Sequence, residues 1–78
     1  MEVVGSVIGV EDASDEALVA TRTGVRRVSL ALLRLEGGDV AVGDWVATHT
    51  GFVVARLDEA EARQRTEEQA EMRGELGR

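Results

Sequence analysis

Short valine-rich runs separated by glycine-marked turns occupy residues 3–57 of this 78-residue chain. Strands are predicted at 3–10, 17–23, 25–30, 45–48 and 52–57, with a brief sixth strand at 40–42. Five or six strands this short cannot build two large sheets, and closing them into a barrel removes the exposed sheet edges. The sequence therefore predicts a mainly β fold, a small OB-like β-barrel followed by a C-terminal α-helix.

The segments between the runs carry their own signals. Gly5 and Gly9 lie inside the first run, so that strand is expected to bend or bulge. The acidic segment 11–16 is interpreted as a loop and the apolar segment 30–35 as a short turn. These connections are short enough to keep neighbouring strands adjacent in a small barrel.

From Asp58 onward the pattern changes to that of a helix. Asp58 is a good N-cap, and Glu61 three residues later completes a capping box. Glu59 with Arg63 and Glu61 with Arg65 form charge pairs four residues apart, in the favourable order. The expected organisation is a β-barrel domain over residues 1–57 and a C-terminal helix over 58–78 that frays toward its end.

Composition excludes several classes of function. The chain has no cysteine and a single histidine, so neither a disulfide, a metal site nor a resident cofactor is expected. A net charge of -6 disfavours binding to nucleic acid phosphates. The sequence shows no nucleophile motif and no phosphate-binding loop. We therefore expect a non-enzymatic cytoplasmic protein that binds neither nucleic acid nor membrane.

His49 lies between two apolar segments and is followed at once by Thr50, Gly51 and Phe52. Taken alone, such a histidine is either an exposed turn residue or part of a functional surface. Glycine suits the corner after His49, and Phe52 is expected to supply core volume. Arg26 and Arg27 either form a patch for an acidic partner or are ordinary exposed residues of a strand.

The segments "GVRRVSLALL" (24–33) and "VGDWVATHTGFVVARLDEAEA" (42–62) together resemble the HypC/HupF family of [NiFe]-hydrogenase maturation chaperones. The matching residues are Gly24, Arg27, Val28, Leu30, Gly43, Asp44, Trp45, Val46, His49, Gly51, Phe52, Leu57, Asp58, Glu59, Glu61 and Ala62. The resemblance implies a small β-barrel with a trailing helix. It also implies two partners, a HypD-like iron–sulfur scaffold protein and the precursor of the hydrogenase large subunit.

The beginning of the chain departs from the family pattern. The family pairs the block histidine with a cysteine directly after the initiator methionine, whereas this chain begins Met1-Glu2-Val3. Either the true start lies upstream, or the chain is a cysteine-less or N-terminally divergent member, which the altered N-terminal motif as a whole favours. His49 is accordingly interpreted as a docking residue rather than a metal ligand. The expected partner-binding residues are Met1, Glu2, Val3, Val4, Gly5, His49, Thr50, Gly51 and Phe52.

Two other interpretations remain open on the sequence. The chain is compatible with a small OB-like module that binds nucleic acid or another ligand. Such modules stack bases on aromatic residues in a basic groove, whereas this chain has one Trp, one Phe and a negative net charge. The sequence is equally compatible with a purely structural subunit that associates with itself.

Overall fold

The computed structural model describes residues 2–65 and closes five strands into a barrel in the order β1-β2-β3-β5-β4. The strands are β1 (Glu2–Glu11), β2 (Glu16–Thr21), β3 (Gly24–Ser29), β4 (Trp45–His49) and β5 (Phe52–Leu57). Neighbours are antiparallel except β3 and β5, which run parallel and pair only at Ser29 and Phe52. The predicted mainly β barrel is confirmed.

Two of the connecting segments differ from the prediction. The apolar segment 30–35 contains a short helix, α1 (Ala31–Leu35), and a 3-10 helix (Asp12–Ser14) lies in the acidic loop. The sixth strand expected at 40–42 is wrong, because those residues form no strand. Instead the Asp39 carboxylate accepts the Val40 N–H and the Asp44 carboxylate accepts the Ala41 N–H, both at 2.8 Å. Side chains thus take the backbone donors that a strand would use.

The interior of the barrel is aliphatic and is built from every strand and from the segment after α1. Its buried members are Val7, Ala17, Val19, Val28, Leu30, Val40, Val46 and Val53. Burial of these side chains stabilises the fold by removing apolar surface from water.

A second apolar cluster lies on the outer face of the barrel, beneath the C-terminal helix. Residues 59–65 are helical, and Ala62 is buried against Val4, Ala47 and Leu57, with Trp45 at the margin. Because side chains alternate along a strand, β1 and β4 contribute to both clusters: one face of each strand lines the interior and the other face packs beneath the helix. The helix is therefore an integral part of the packing up to the last described residue, and the predicted fraying lies outside the described residues.

Capping fixes where this helix begins. The Asp58 carboxylate accepts the Glu61 N–H at 2.7 Å, which confirms the predicted N-cap. Arg63 contacts Glu59 at 3.4 Å as expected, whereas Arg65 donates to Glu2 of β1 at 2.8 Å rather than to a residue of its own helix. Among the described helices, none has the length and apolar character needed to cross a membrane.

Arg34 of α1 forms ion pairs with carboxylates of two neighbouring loops. Its guanidinium donates to Asp15 at 2.7 Å, to Asp12 at 2.6 Å and to Asp39 at 3.2 Å. The bonds to Asp15 and Asp12 raise the pKa of Arg34 above its usual range. The pKa of Asp39 is lowered, first by the Val40 N–H and then by Arg34.

The predicted irregularity of β1 is a bulge near Gly9, whereas Gly5 is explained by close packing. The register against β2 shifts between Val7 and Gly9, so Ile8 is the extra residue of a β-bulge. Gly5 lies close to β2, where an added Cβ would meet the Val19 side chain and, at 2.5 Å, the Ala20 carbonyl oxygen. Gly5 is therefore required for the close approach of β1 and β2.

Candidate functional site

His49 ends β4, Phe52 begins β5, and a two-residue turn joins them. The two central residues, Thr50 and Gly51, have φ values of 50° and 85°. Positive φ at both central positions is the geometry of a type I′ turn, which suits the twist of a β-hairpin. Glycine adopts this conformation readily, whereas a β-branched residue such as Thr50 does so only under strain.

The turn places three side chains in a line across three strands. Glu2 of β1 pairs with His49, and His49 pairs in turn with Phe52 of β5. Directly paired residues point to the same side of a sheet, so these three residues, here called the His49 row, share the outer face of the barrel. His49 and Phe52 are exposed and Glu2 is half-buried.

Two contacts hold the beginning of β1 beside the turn. Arg65 donates to the Glu2 carboxylate at 2.8 Å, which ties the C-terminal helix to one end of the His49 row. The Thr48 hydroxyl donates to the Val3 carbonyl oxygen at 3.1 Å and adds a side-chain bond to the β1–β4 ladder. The N-terminal segment and the His49 turn therefore form one continuous surface.

The structure separates the expected partner-binding residues into accessible and covered ones. Glu2 and Val3 lie at the accessible end of β1 together with the turn, 49–52. Val4 is buried beneath the helix and Gly5 is buried against β2. Met1 lies outside the described residues.

Phe52 differs from its sequence interpretation. It was expected to fill the core, but 38% of its surface is exposed. The neighbouring Val53 enters the barrel interior instead. An exposed aromatic ring next to an imidazole suits a contact surface, because aromatic residues carry much of the binding energy at protein interfaces.

An open depression lies beside the His49 row, at the end of the barrel where β3 and β5 are paired only once. We call it the barrel mouth; it is lined by Val3, Arg26, Arg27, Val28, Thr48, Thr50 and Gly51. Two arginines and no aromatic residue line it, and Trp45 packs in the cluster beneath the helix instead. No pattern in the sequence indicates that Arg26 and Arg27 lie beside the histidine turn.

The side chains around His49 define what chemistry the described part of this surface offers. Within residues 2–65, no group of three or more His, Asp or Glu side chains is placed to hold a metal ion. The Glu2 carboxylate beside His49 is already bound by Arg65. The class of protein defined by this fold is a small OB-like barrel with a helix packed outside it and an exposed turn between β4 and β5.

Comparison with known proteins identifies the family. The HupF/HypC family model matches residues 2–68, and the chain belongs to this family. Hydrogenase maturation factor HypC of Azotobacter chroococcum mcd 1 is 43% identical over 58 residues, which are 72% of this chain and 64% of that protein. The chain thus spans less than two thirds of that relative's length. The family resemblance found in the sequence is confirmed, and a family of maturation chaperones agrees with the expectation of a non-enzymatic protein.

Proposed function

We propose that this protein is a non-enzymatic cytoplasmic chaperone of hydrogenase maturation that acts through protein contacts. Its partners are a HypD-like iron–sulfur scaffold protein, on which iron is prepared, and the precursor of the hydrogenase large subunit, which receives it. Iron is the cargo of this pathway, and no resident metal is assigned to the chain. The docking surface is the His49 row together with Val3, Thr50 and Gly51.

The observation that carries this proposal is the pairing of Glu2 with His49 and of His49 with Phe52 across β1, β4 and β5. It brings together the beginning of the chain and the His49 turn, the two places where the family pattern has its cysteine and its histidine, although Glu2 and His49 are 47 positions apart in the sequence. An exposed aromatic residue, an imidazole and a carboxylate then stand in one line. This combination offers apolar area and hydrogen bonding to a protein partner.

Direct iron ligation by this chain is not part of the proposal. Residues 1–78 contain no cysteine, and the residue paired with His49 is Glu2, whose carboxylate is engaged by Arg65. One imidazole falls short of the three protein ligands that even an open catalytic zinc site normally uses. Docking alone is the role that these residues support.

The rival role of a nucleic-acid module receives less support. Such modules stack bases on aromatic rings inside a basic groove. Here the arginines line the barrel mouth, whereas the single tryptophan lies at the margin of the helix cluster and Phe52 lies on the outer face. The aromatic and basic components are therefore not combined in one groove.

The proposal is tested by titrating the purified protein with each of the two partners from the same organism, using isothermal calorimetry. Phe52→Ala is expected to weaken binding at least about fivefold, since truncating a central interface residue commonly costs more than 1 kcal/mol. Leu35→Ala is the matched control, because Leu35 is an apolar residue of α1 with 84% of its surface exposed. Failure to bind either partner, or equal losses in the two variants, would contradict the proposal.

A further inference from the structure

The edge of β3 that faces β5 is open over most of its length. β3 pairs with β5 at Ser29 alone, and β5 begins only at Phe52, beyond the Thr50–Gly51 turn. Within residues 2–65, the part of this edge from 25 to 27 has no strand beside it. The barrel mouth lies along this free edge.

The hydrogen-bonding pattern shows which backbone groups point toward the mouth. Leu30 N–H donates to the Asp15 carbonyl on the β2 side, whereas Ser29 N–H donates to the Gly51 carbonyl on the β5 side. Because the two sides alternate along a strand, Arg26 and Val28 bond to β2. Val25 and Arg27 therefore direct their N–H and C=O groups to the free edge.

The walls of the mouth carry a charge opposite to that of the chain as a whole. The net charge is -6, yet Arg26 and Arg27 both line the mouth. Arg27 approaches Glu16 only at 3.5 Å, with 60% of its side chain exposed, and within residues 2–65 the Arg26 side chain makes a single 3.4 Å bond, to the Thr23 hydroxyl. Much of their capacity to bind carboxylates is thus available to a partner.

We infer that the barrel mouth receives an extended acidic segment of the partner protein, which adds as a strand to the free edge of β3. Main-chain bonds to Val25 and Arg27 hold the segment, and its carboxylates contact Arg26 and Arg27. Strand addition to an exposed sheet edge is an established mode of peptide recognition. Since the mouth shares Val3, Thr50 and Gly51 with the docking surface, this inference rests on the proposed function and specifies the partner's chemistry.

Hydrogen exchange tests the strand addition directly. The protein is exchanged alone and while saturated with each partner, and single amides are resolved by NMR after the partner is released. In the free protein the amides of Val25 and Arg27 should exchange fast, while those of Arg26 and Val28 are slow because they bond to β2. Partner binding should slow Val25 and Arg27 at least about tenfold, as expected for newly hydrogen-bonded amides.

The outcomes separate this inference from the proposed function. Binding that leaves Val25 and Arg27 unprotected would overturn strand addition while leaving the chaperone role intact. No binding to either partner would overturn both. Protection already present in the free protein, or rising with its own concentration, would show that the chain or a second copy covers the edge, and would also overturn the inference.

Variants of one edge residue provide a second test. Val25→Pro removes an outward N–H without removing a bond to β2, and proline is tolerated at such edge positions. Val25→Thr keeps the N–H and is the matched control. Val25→Pro should weaken partner binding at least about fivefold relative to Val25→Thr. Equal affinities of the two variants would count against the added strand.

The role of the arginines is tested by Arg26→Gln, measured with both partners over a range of salt concentrations. It should weaken binding and flatten its salt dependence, because exposed charge contacts are screened by salt. An unchanged salt dependence would show that Arg26 does not contact an acidic segment.

Discussion

Thr50→Asn is expected to stabilise the fold, because Thr50 has a φ of 50° at the first central position of the turn. The left-handed conformation costs an ordinary residue about 1–2 kcal/mol, whereas asparagine tolerates it. The change also removes the exposed hydrogen bond, 2.8 Å long, from the Thr50 hydroxyl to the His49 carbonyl. Loss of this bond costs about 0.5 kcal/mol of stability. The net gain is about 1 kcal/mol, equivalent to a rise in Tm of about 4–8 °C for a domain of this size.

Gly51→Ala is the matched variant at the neighbouring position. An added Cβ on Gly51 meets no atom within 4 Å, so its φ of 85° is the only source of cost. The variant should lose about 1–2 kcal/mol. Thermal and urea unfolding followed by circular dichroism measure both changes. A lower Tm for Thr50→Asn, or an unchanged Tm for Gly51→Ala, would refute the assignment of strain to this turn.

Three further predictions concern the barrel and its helix. Gly5→Ala should cost at least about 1–3 kcal/mol through overpacking against β2, whereas Gly9→Ala should cost less, since its Cβ would meet only Leu18 at 3.7 Å; urea unfolding of both variants provides the comparison. Because the pKa of Asp39 is lower in the folded protein than in the unfolded chain, its ionised carboxylate stabilises the fold at pH values above the unfolded-state pKa of about 3.9. This contribution is lost as pH falls through the lower folded-state pKa. Urea unfolding between pH 7 and pH 2 should therefore show a smaller acid-induced loss in Asp39→Asn than in the unmodified protein, and equal losses would contradict this role. Asp58→Ala should cost about 0.5–2 kcal/mol and Asp58→Asn almost nothing, because asparagine caps equally well; equal melting temperatures would show that the cap bond is unimportant.

Local signals in the sequence were sufficient for most of the strands and for the start of the helix. The final strand was predicted at 52–57, where β5 lies, and Asp58 was recognised as the cap by its residue type and spacing. The strand expected at 40–42 failed because neighbouring carboxylates bind its N–H groups, a competition that hydrophobic patterning does not register.

The position of Phe52 was missed for a different reason. The register between β4 and β5 shifts after Ala47, which makes Val54 an extra residue of β5. Val53 then points into the barrel while Ala55 packs with the cluster beneath the helix. Simple alternation cannot reveal such a bulge, so an aromatic residue in an aliphatic chain was assigned to the core.

The candidate site was accessible from the sequence only through family resemblance. Glu2 and His49 become neighbours through barrel closure between β1 and β4, a long-range pairing that local patterns do not determine. The same closure, together with the packing of the helix, brings Arg65 to Glu2. The free edge of β3 likewise follows from where β5 begins, not from any property of the β3 sequence.

The central claim is that His49 is a docking residue, and the most direct test measures folding and binding of His49→Ala in one preparation. Because His49 is exposed at the end of β4, the variant should melt within about 2–4 °C of the unmodified protein, as surface substitutions usually change stability by less than 0.5 kcal/mol. Its affinity for the scaffold protein or the large-subunit precursor should fall at least about fivefold. A variant that melts early but binds normally per folded molecule would show that His49 is a structural residue and would contradict the account.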